Sequence, residues 1–196
     1  MTTPAPHRSS RHGSPRGIWL GLVLLVAVAA SGASTPSQQA ASAMSWRAPR
    51  PLVLEHAEIH CELARAADLP GATGEAARHL AALLTAHFRK EERDVFPALG
   101  LLQVLARDET PERMRDILPL TERLRAELPV LLDEDRDIAR AVEELKRMAW
   151  AESRPRYAFL ADQILRHAWR DEEVTYPAAL LVGRYVRERL RTSTTP

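Results

Sequence analysis

From Pro51 onward, apolar residues recur every three or four positions with polar residues between them, the spacing that lines one face of an α-helix. Leu52, His56, Ile59 and Leu63 form the first stripe, which starts at a proline suited to a first helical turn and ends before Leu69-Pro70-Gly71. A second stripe, Leu80, Leu84, His87, Glu91 and Val95, comes after Thr73 as expected cap and stops near Phe96-Pro97. Residues 100–108 read as a connection. Thr110-Pro111-Glu112 then marks the start of a long helical pattern, which Pro119 and Pro129 are expected to kink or break, because each removes a backbone donor. The third stripe is Leu131, Asp135, Ile138, Val142, Leu145 and Ala149. After a polar break at 152–155, the fourth is Leu160, Ile164, His167, Asp171 and Val174, with Pro177 opening a short terminal helix over 178–190. Alternating β-branched runs that would mark strands are nearly absent, so the pattern predicts an all-α fold.

The two halves of this pattern repeat each other. LEHAEI at 54–59 resembles DEDRDI at 133–138, which aligns His56 with Asp135 at an offset of 79. HFRKEERDVFPA at 87–98 resembles HAWRDEEVTYPA at 167–178 at an offset of 80, aligning His87 with His167, Glu91 with Asp171 and Glu92 with Glu172. Two duplicated helical hairpins build a four-helix bundle naturally, here expected over residues 51–190 with a tail at 191–196.

Composition changes the picture mainly at the N-terminus. Residues 1–43 hold Arg8, Arg11, Arg16 and no acidic residue, and the uncharged run at 17–33 gives residues 1–33 the pattern of a signal peptide or an N-terminal membrane anchor. The protein is then exported or membrane-attached; a start at Met44 would instead make it cytoplasmic. Residues 34–50, rich in Ser, Ala, Gln and Pro, read as a linker. The net charge of +1 turns slightly negative once the basic start is set aside, which is no nucleic-acid footprint. The one cysteine, Cys61, forms no intrachain disulfide and is expected as a quiet core thiol.

The apolar stripes carry the candidate chemistry. His56, His87, Glu91, Asp135, His167 and Asp171 all fall within them, where burial of an ionisable group costs several kcal/mol unless partners are supplied. Residues four apart share a helix face, so His87 aims with Glu91 and His167 with Asp171. Glu172 is rotated sideways yet has the length to reach, and His60, one turn after His56, is either a further ligand or a rim residue. Mixed imidazole and carboxylate donors suit iron, manganese or zinc, and carboxylates bridge metal pairs in bundle cores. His79 and the acidic face of Glu55, Glu58 and Glu62 are expected to be only solvated, and Trp150 and Trp169 to pack at helix ends. No nucleophile with an adjacent base, phosphate-cradling glycine loop or dinucleotide motif occurs, so any enzyme would have to work through the metal.

EHAEIH, HFRKEERDVFP and HAWRDEEVTYPAALLVGRYV together resemble the hemerythrin-like family, the HHE cation-binding domain, over residues 52–187. The resemblance implies an up-down four-helix bundle holding a non-haem di-iron centre that binds oxygen, responds to nitric oxide or redox state, or handles iron. It makes His56 the ligand from the first helix, His87 with Glu91 the pair from the second, and His167 with Asp171 or Glu172 the pair from the fourth. Glu91 and the fourth-helix carboxylate would be the bridges. The third helix departs from the pattern, with Asp135 where a histidine is expected and Leu131 one turn earlier offering no ligand. Carboxylates favour the ferric state, so reversible oxygen carriage is not expected; redox chemistry, iron sequestration or a weakened, mononuclear site is. The expected ligand is a diatomic molecule or peroxide, and no protein partner is legible. A sensing or storage module is favoured over a metal-dependent peroxide or nitric oxide reductase and over a helical interaction module that has lost metal.

Overall fold

A computed structural model describes residues 47–192. The expected signal peptide or anchor, the linker up to residue 46 and residues 193–196 lie outside the described residues. The helices are α1 (Arg50–Ala67), α2 (Ala72–Asp94), α3 (Phe96–Gly100), α4 (Leu102–Leu105), α5 (Leu118–Ala151), α6 (Pro155–Arg170) and α7 (Tyr176–Thr192), with a 3₁₀ segment at Glu112–Ile117 and a π-helical turn at Asp171–Thr175. Among the described residues there is no strand, so the fold is all-α. Nor is any described helix long and apolar enough to cross a membrane.

Prolines sit in the first turns of α1, α3, α5 and α6, where a missing N–H costs nothing. Gly71, at φ 88°, turns the chain from α1 into α2. Thr73 does not cap α2. The cap comes from the other hairpin: Glu152 accepts from the Ala72 N–H at 2.8 Å and from the Thr73 hydroxyl at 2.6 Å, placing a carboxylate at the positive end of the helix. Within residues 100–108, expected as plain connection, the short helix α4 forms, just after α3.

One expected break is absent. α5 runs unbroken through Pro129, because Pro119 lies in its first turn and Pro129 sits on the exposed face, where water can serve the carbonyl of Arg125. Pro177 does lie in the first turn of a terminal helix, α7, which at Tyr176–Thr192 is slightly longer than the expected 178–190. Helical structure continues from Pro155 through the π turn to Thr192, and the wider turn before Pro177 relieves the clash a proline ring makes with the carbonyl four residues back.

Helix α2 packs on α1 and α5, α5 on α6 and α7, and α6 on α1, so α1, α2, α5 and α6 close a ring. The described residues bury two apolar clusters. One is built on Ile59, Leu63, Leu80, Leu84, Phe88, Ile138, Val142 and Ile164, the other on Phe96, Leu101, Ile117, Leu124, Leu131, Tyr176 and Val186. The buried ionisable residues fall along each helix between the two. Cys61 is not in the core but exposed: two residues from both Ile59 and Leu63, it points about 200° away from their face. Trp150 meets Phe159 edge-on at 6.1 Å near the end of α5, and both Trp150 and Trp169 are about half exposed.

α7 approaches α5 at Gly183, where a Cβ would stand 2.7 Å from Thr121 Cβ and 2.9 Å from Cγ2. Gly183→Leu is therefore expected to cost about 1–3 kcal/mol by overpacking. Chemical denaturation of the metal-free protein measures it, and a midpoint equal to wild type would contradict this packing.

Candidate metal centre

The helical stripes deliver six of the eight expected ligands to one buried place. Glu91, fully buried on α2, stands at its middle with its two oxygens serving two sides. Toward one side, Glu91 Oε2 is 3.3 Å from His56 Nε2 of α1 and 4.0 Å from His167 Nε2 of α6, and His167 Nε2 is 3.0 Å from Asp171 Oδ2 in the π turn. Toward the other, Glu91 Oε1 is 3.5 Å from His87 Nε2, which is 3.1 Å from Asp135 Oδ1 of α5. One ligand atom each from His56, Glu91 and His167 lie within 4.8 Å of one another, the spacing a metal ion needs.

Five of these atoms, His56 Nε2, Glu91 Oε2, Asp135 Oδ1, His167 Nε2 and Asp171 Oδ2, are buried and have no hydrogen-bond partner. An unsatisfied buried polar atom costs about 1–3 kcal/mol, more if charged. Five of them converging is what a shared cation would relieve, and imidazole nitrogens with carboxylate oxygens are a donor set for iron, manganese or zinc.

The far nitrogen of each histidine faces a carboxylate. His56 Nδ1 is 3.0 Å from Glu92 Oε1, His87 Nδ1 3.2 Å from Glu134 Oε2, and His167 Nδ1 3.4 Å from Glu55 Oε2. Each of these acids is the chain neighbour of a central residue: Glu92 of Glu91, Glu134 of Asp135, Glu55 of His56. At His56 and His87, carboxylates so placed fix ring orientation and leave Nε2 as the donor, whereas the nearer partner of His167 Nδ1 is the Arg170 guanidinium at 2.7 Å, itself held by Glu55. Two of the carboxylates are themselves held, Glu134 by Lys90 and Glu55 by Arg170 at 2.5 Å. Glu55 is thus no mere solvating residue. Glu58 is exposed as expected, and Glu62 bonds Arg156 at 2.6 Å.

Two expected ligands stay outside. Glu172 is exposed, since five residues of helix turn it about 140° from His167, so the choice between Asp171 and Glu172 falls to Asp171. His60 is half-buried with its ring edge-on to Phe88 at 5.2 Å, on a groove of about 400 Å³ between α1 and α2 that reaches His56 and Glu92. That is its rim position. His79 is exposed.

Tyr176 joins the site without any announcement from the helical stripes. Its hydroxyl, deeply buried, donates to Glu91 Oε1 at 2.7 Å and lies 3.1 Å from His87 Nε2 and 3.3 Å from Asp135 Oδ2. The repeat holds the signal: Tyr176 aligns with Phe96, so one hairpin carries a hydroxyl that the other lacks.

Crowding acids and imidazoles into a dry space sets the electrostatics. Burial opposes charge on His87, but the Asp135 and Glu91 carboxylates beside it outweigh that and raise its pKa to about 11. Glu91 is also penalised by burial, yet His56 and His87 pull it well below the carboxylate range. Burial and the Glu91 charge push Asp171 up to about 8. Burial with the Glu91 and Asp135 charges pushes Tyr176 far up, and burial with His56 lowers His167 against the pull of Glu91. Protons on Asp171, His87 and Tyr176 therefore lie where a cation would compete for the same lone pairs.

No protein-family model, no curated protein and no solved structure matches the chain.

Proposed function

We propose that this chain is a metal-binding protein of the hemerythrin-like type, an up-down four-helix bundle of α1, α2, α5 and α6 that holds non-haem iron in its core. The convergence of five buried ligand atoms without hydrogen-bond partners carries this reading. It also weighs against a purely structural bundle, which would be more stable with apolar residues in those places. His56, His167 and Asp171 would hold one ion and His87 with Asp135 a second, with Glu91 between them. The mixed donor set favours iron, with manganese or zinc as competitors.

The role we favour is a binding module for redox or nitric oxide sensing or iron handling. The groove beside His56 would admit a diatomic molecule or peroxide. Asp135 in place of an imidazole makes the second position anionic, which argues against reversible oxygen carriage. The same groove also suits a catalytic reading, reduction of peroxide or nitric oxide, which steady-state consumption by the iron-loaded protein would reveal.

Metal content tests the reading. The full chain, reconstituted anaerobically with ferrous iron and desalted, is expected to retain two irons, and His87→Ala fewer. Wild type retaining no metal above a helical control protein would sink the proposal.

A further inference from the structure

Resting on that metal-binding reading, we infer that Tyr176 is itself a ligand, its phenolate oxygen completing the second position with His87, Asp135 and Glu91. The pseudo-symmetry of the site leads to this. Exchanging the hairpins maps His56 onto Asp135 and Phe96 onto Tyr176. On the first side, Phe96 only packs against the His56 ring, with centroids 4.8 Å apart. On the second side, the imidazole is replaced by Asp135 and the ring gains an oxygen 3.3 Å from Asp135 Oδ2. One donor changes type and another appears beside it.

The geometry places that oxygen among donors. Tyr176 Oη lies within 3.3 Å of His87 Nε2, Glu91 Oε1 and Asp135 Oδ2, and a metal ion among them would touch all four atoms. A tyrosine serving only the apolar cluster around it would have needed no hydroxyl, since Phe96 fills the matching place without one. Asp171 opens the π turn and Tyr176 follows it, yet Asp171 meets His167 on one side of Glu91 while Tyr176 meets His87 and Asp135 on the other. Binding exchanges the phenol proton for the ion, and the proton leaves to solvent. With one nitrogen and three oxygen donors, this position suits a trivalent, hard cation.

Ferric iron is the probe. The ferric-loaded full chain is expected to show a broad visible phenolate-to-iron charge-transfer band with resonance-enhanced tyrosine ring modes, and Tyr176→Phe to lose the band entirely while the first position keeps its iron. Tyr185→Phe, which alters a partly exposed phenol, should leave the band intact. Ring-deuterated tyrosine in a Tyr157→Phe/Tyr185→Phe background assigns the Raman modes to Tyr176 even if Tyr176→Phe folds poorly. Wild type that retains two irons but shows neither band nor tyrosine modes overturns the inference and leaves the metal reading standing. Wild type that binds no iron overturns both.

Discussion

Glu91→Gln is expected to abolish metal binding and, with it, the whole of the metal-dependent rise in thermal stability. Glu91 is the one residue whose two oxygens face the two sides, 3.3 Å from His56 and 3.5 Å from His87. An amide keeps the volume but offers one oxygen and one donor, and a donor aimed at either side repels a cation. A ligand at about 1,000 times its Kd stabilises the native state by about 4 kcal/mol. For a chain of this size each kcal/mol moves Tm by roughly 2–4 °C. Wild type should therefore gain on the order of 10 °C with saturating iron, and Glu91→Gln nothing. The metal-free variant should still fold, since His87 keeps Asp135 at 3.1 Å and Tyr176 keeps an acceptor; its cost is about 1–3 kcal/mol. Thermal scans with and without iron measure both quantities. A variant that keeps the wild-type gain would remove Glu91 from the centre.

The duplicated stripes make much of this legible. His56, His87, Glu91, Asp135, His167 and Asp171 stand in apolar positions, and helical periodicity alone puts such residues on the inward face. What periodicity cannot report is contact between distant helices. Glu55, Glu92 and Glu134 look like ordinary solvated acids in the sequence; they matter because each reaches the Nδ1 of a histidine on another helix. Glu152 caps α2 from 79 residues away in sequence, which no local cap signal foretells. Proline rules mislead at Pro129, where an exposed face absorbs the lost donor. Cys61 reads as a core residue because Ile59 and Leu63 stand two positions to either side, although on a helix they face the other way. Tyr176 is hidden for a related reason: its ring belongs to an apolar cluster, and only the third dimension shows its hydroxyl among the ligands.

Asp171→Asn is expected to stabilise the metal-free protein at pH 8 while leaving it unchanged near pH 4, and to do the opposite once iron is present. Asp171 is pushed from an ordinary 3.8 up to about 8 by burial and by the Glu91 charge. Its folded form thus keeps a proton that its unfolded form releases above pH 4, so its stabilising contribution is full below 3.8 and is lost as pH rises toward 8. An amide mimics the protonated acid and never ionises, so it avoids that loss. His87 drains stability in the same direction at higher pH, since its pKa is raised from 6.5 to about 11 and its contribution falls away across that interval. Glu91 runs the other way: held below 4.5, it contributes above that value and loses its contribution in acid. The metal-free wild type should accordingly be most stable in mild acid and weaken as the solution becomes alkaline. Iron reverses the order, because it takes the place of the protons and is bound more tightly as pH rises. Tm measured from pH 4 to pH 9 on both proteins, with and without iron, should show the wild-type profiles diverging toward alkaline pH. The Asp171→Asn profiles should stay close together and lie between them. If metal-free Asp171→Asn is no more stable than wild type at pH 8, the buried repulsion between Asp171 and Glu91 does not exist.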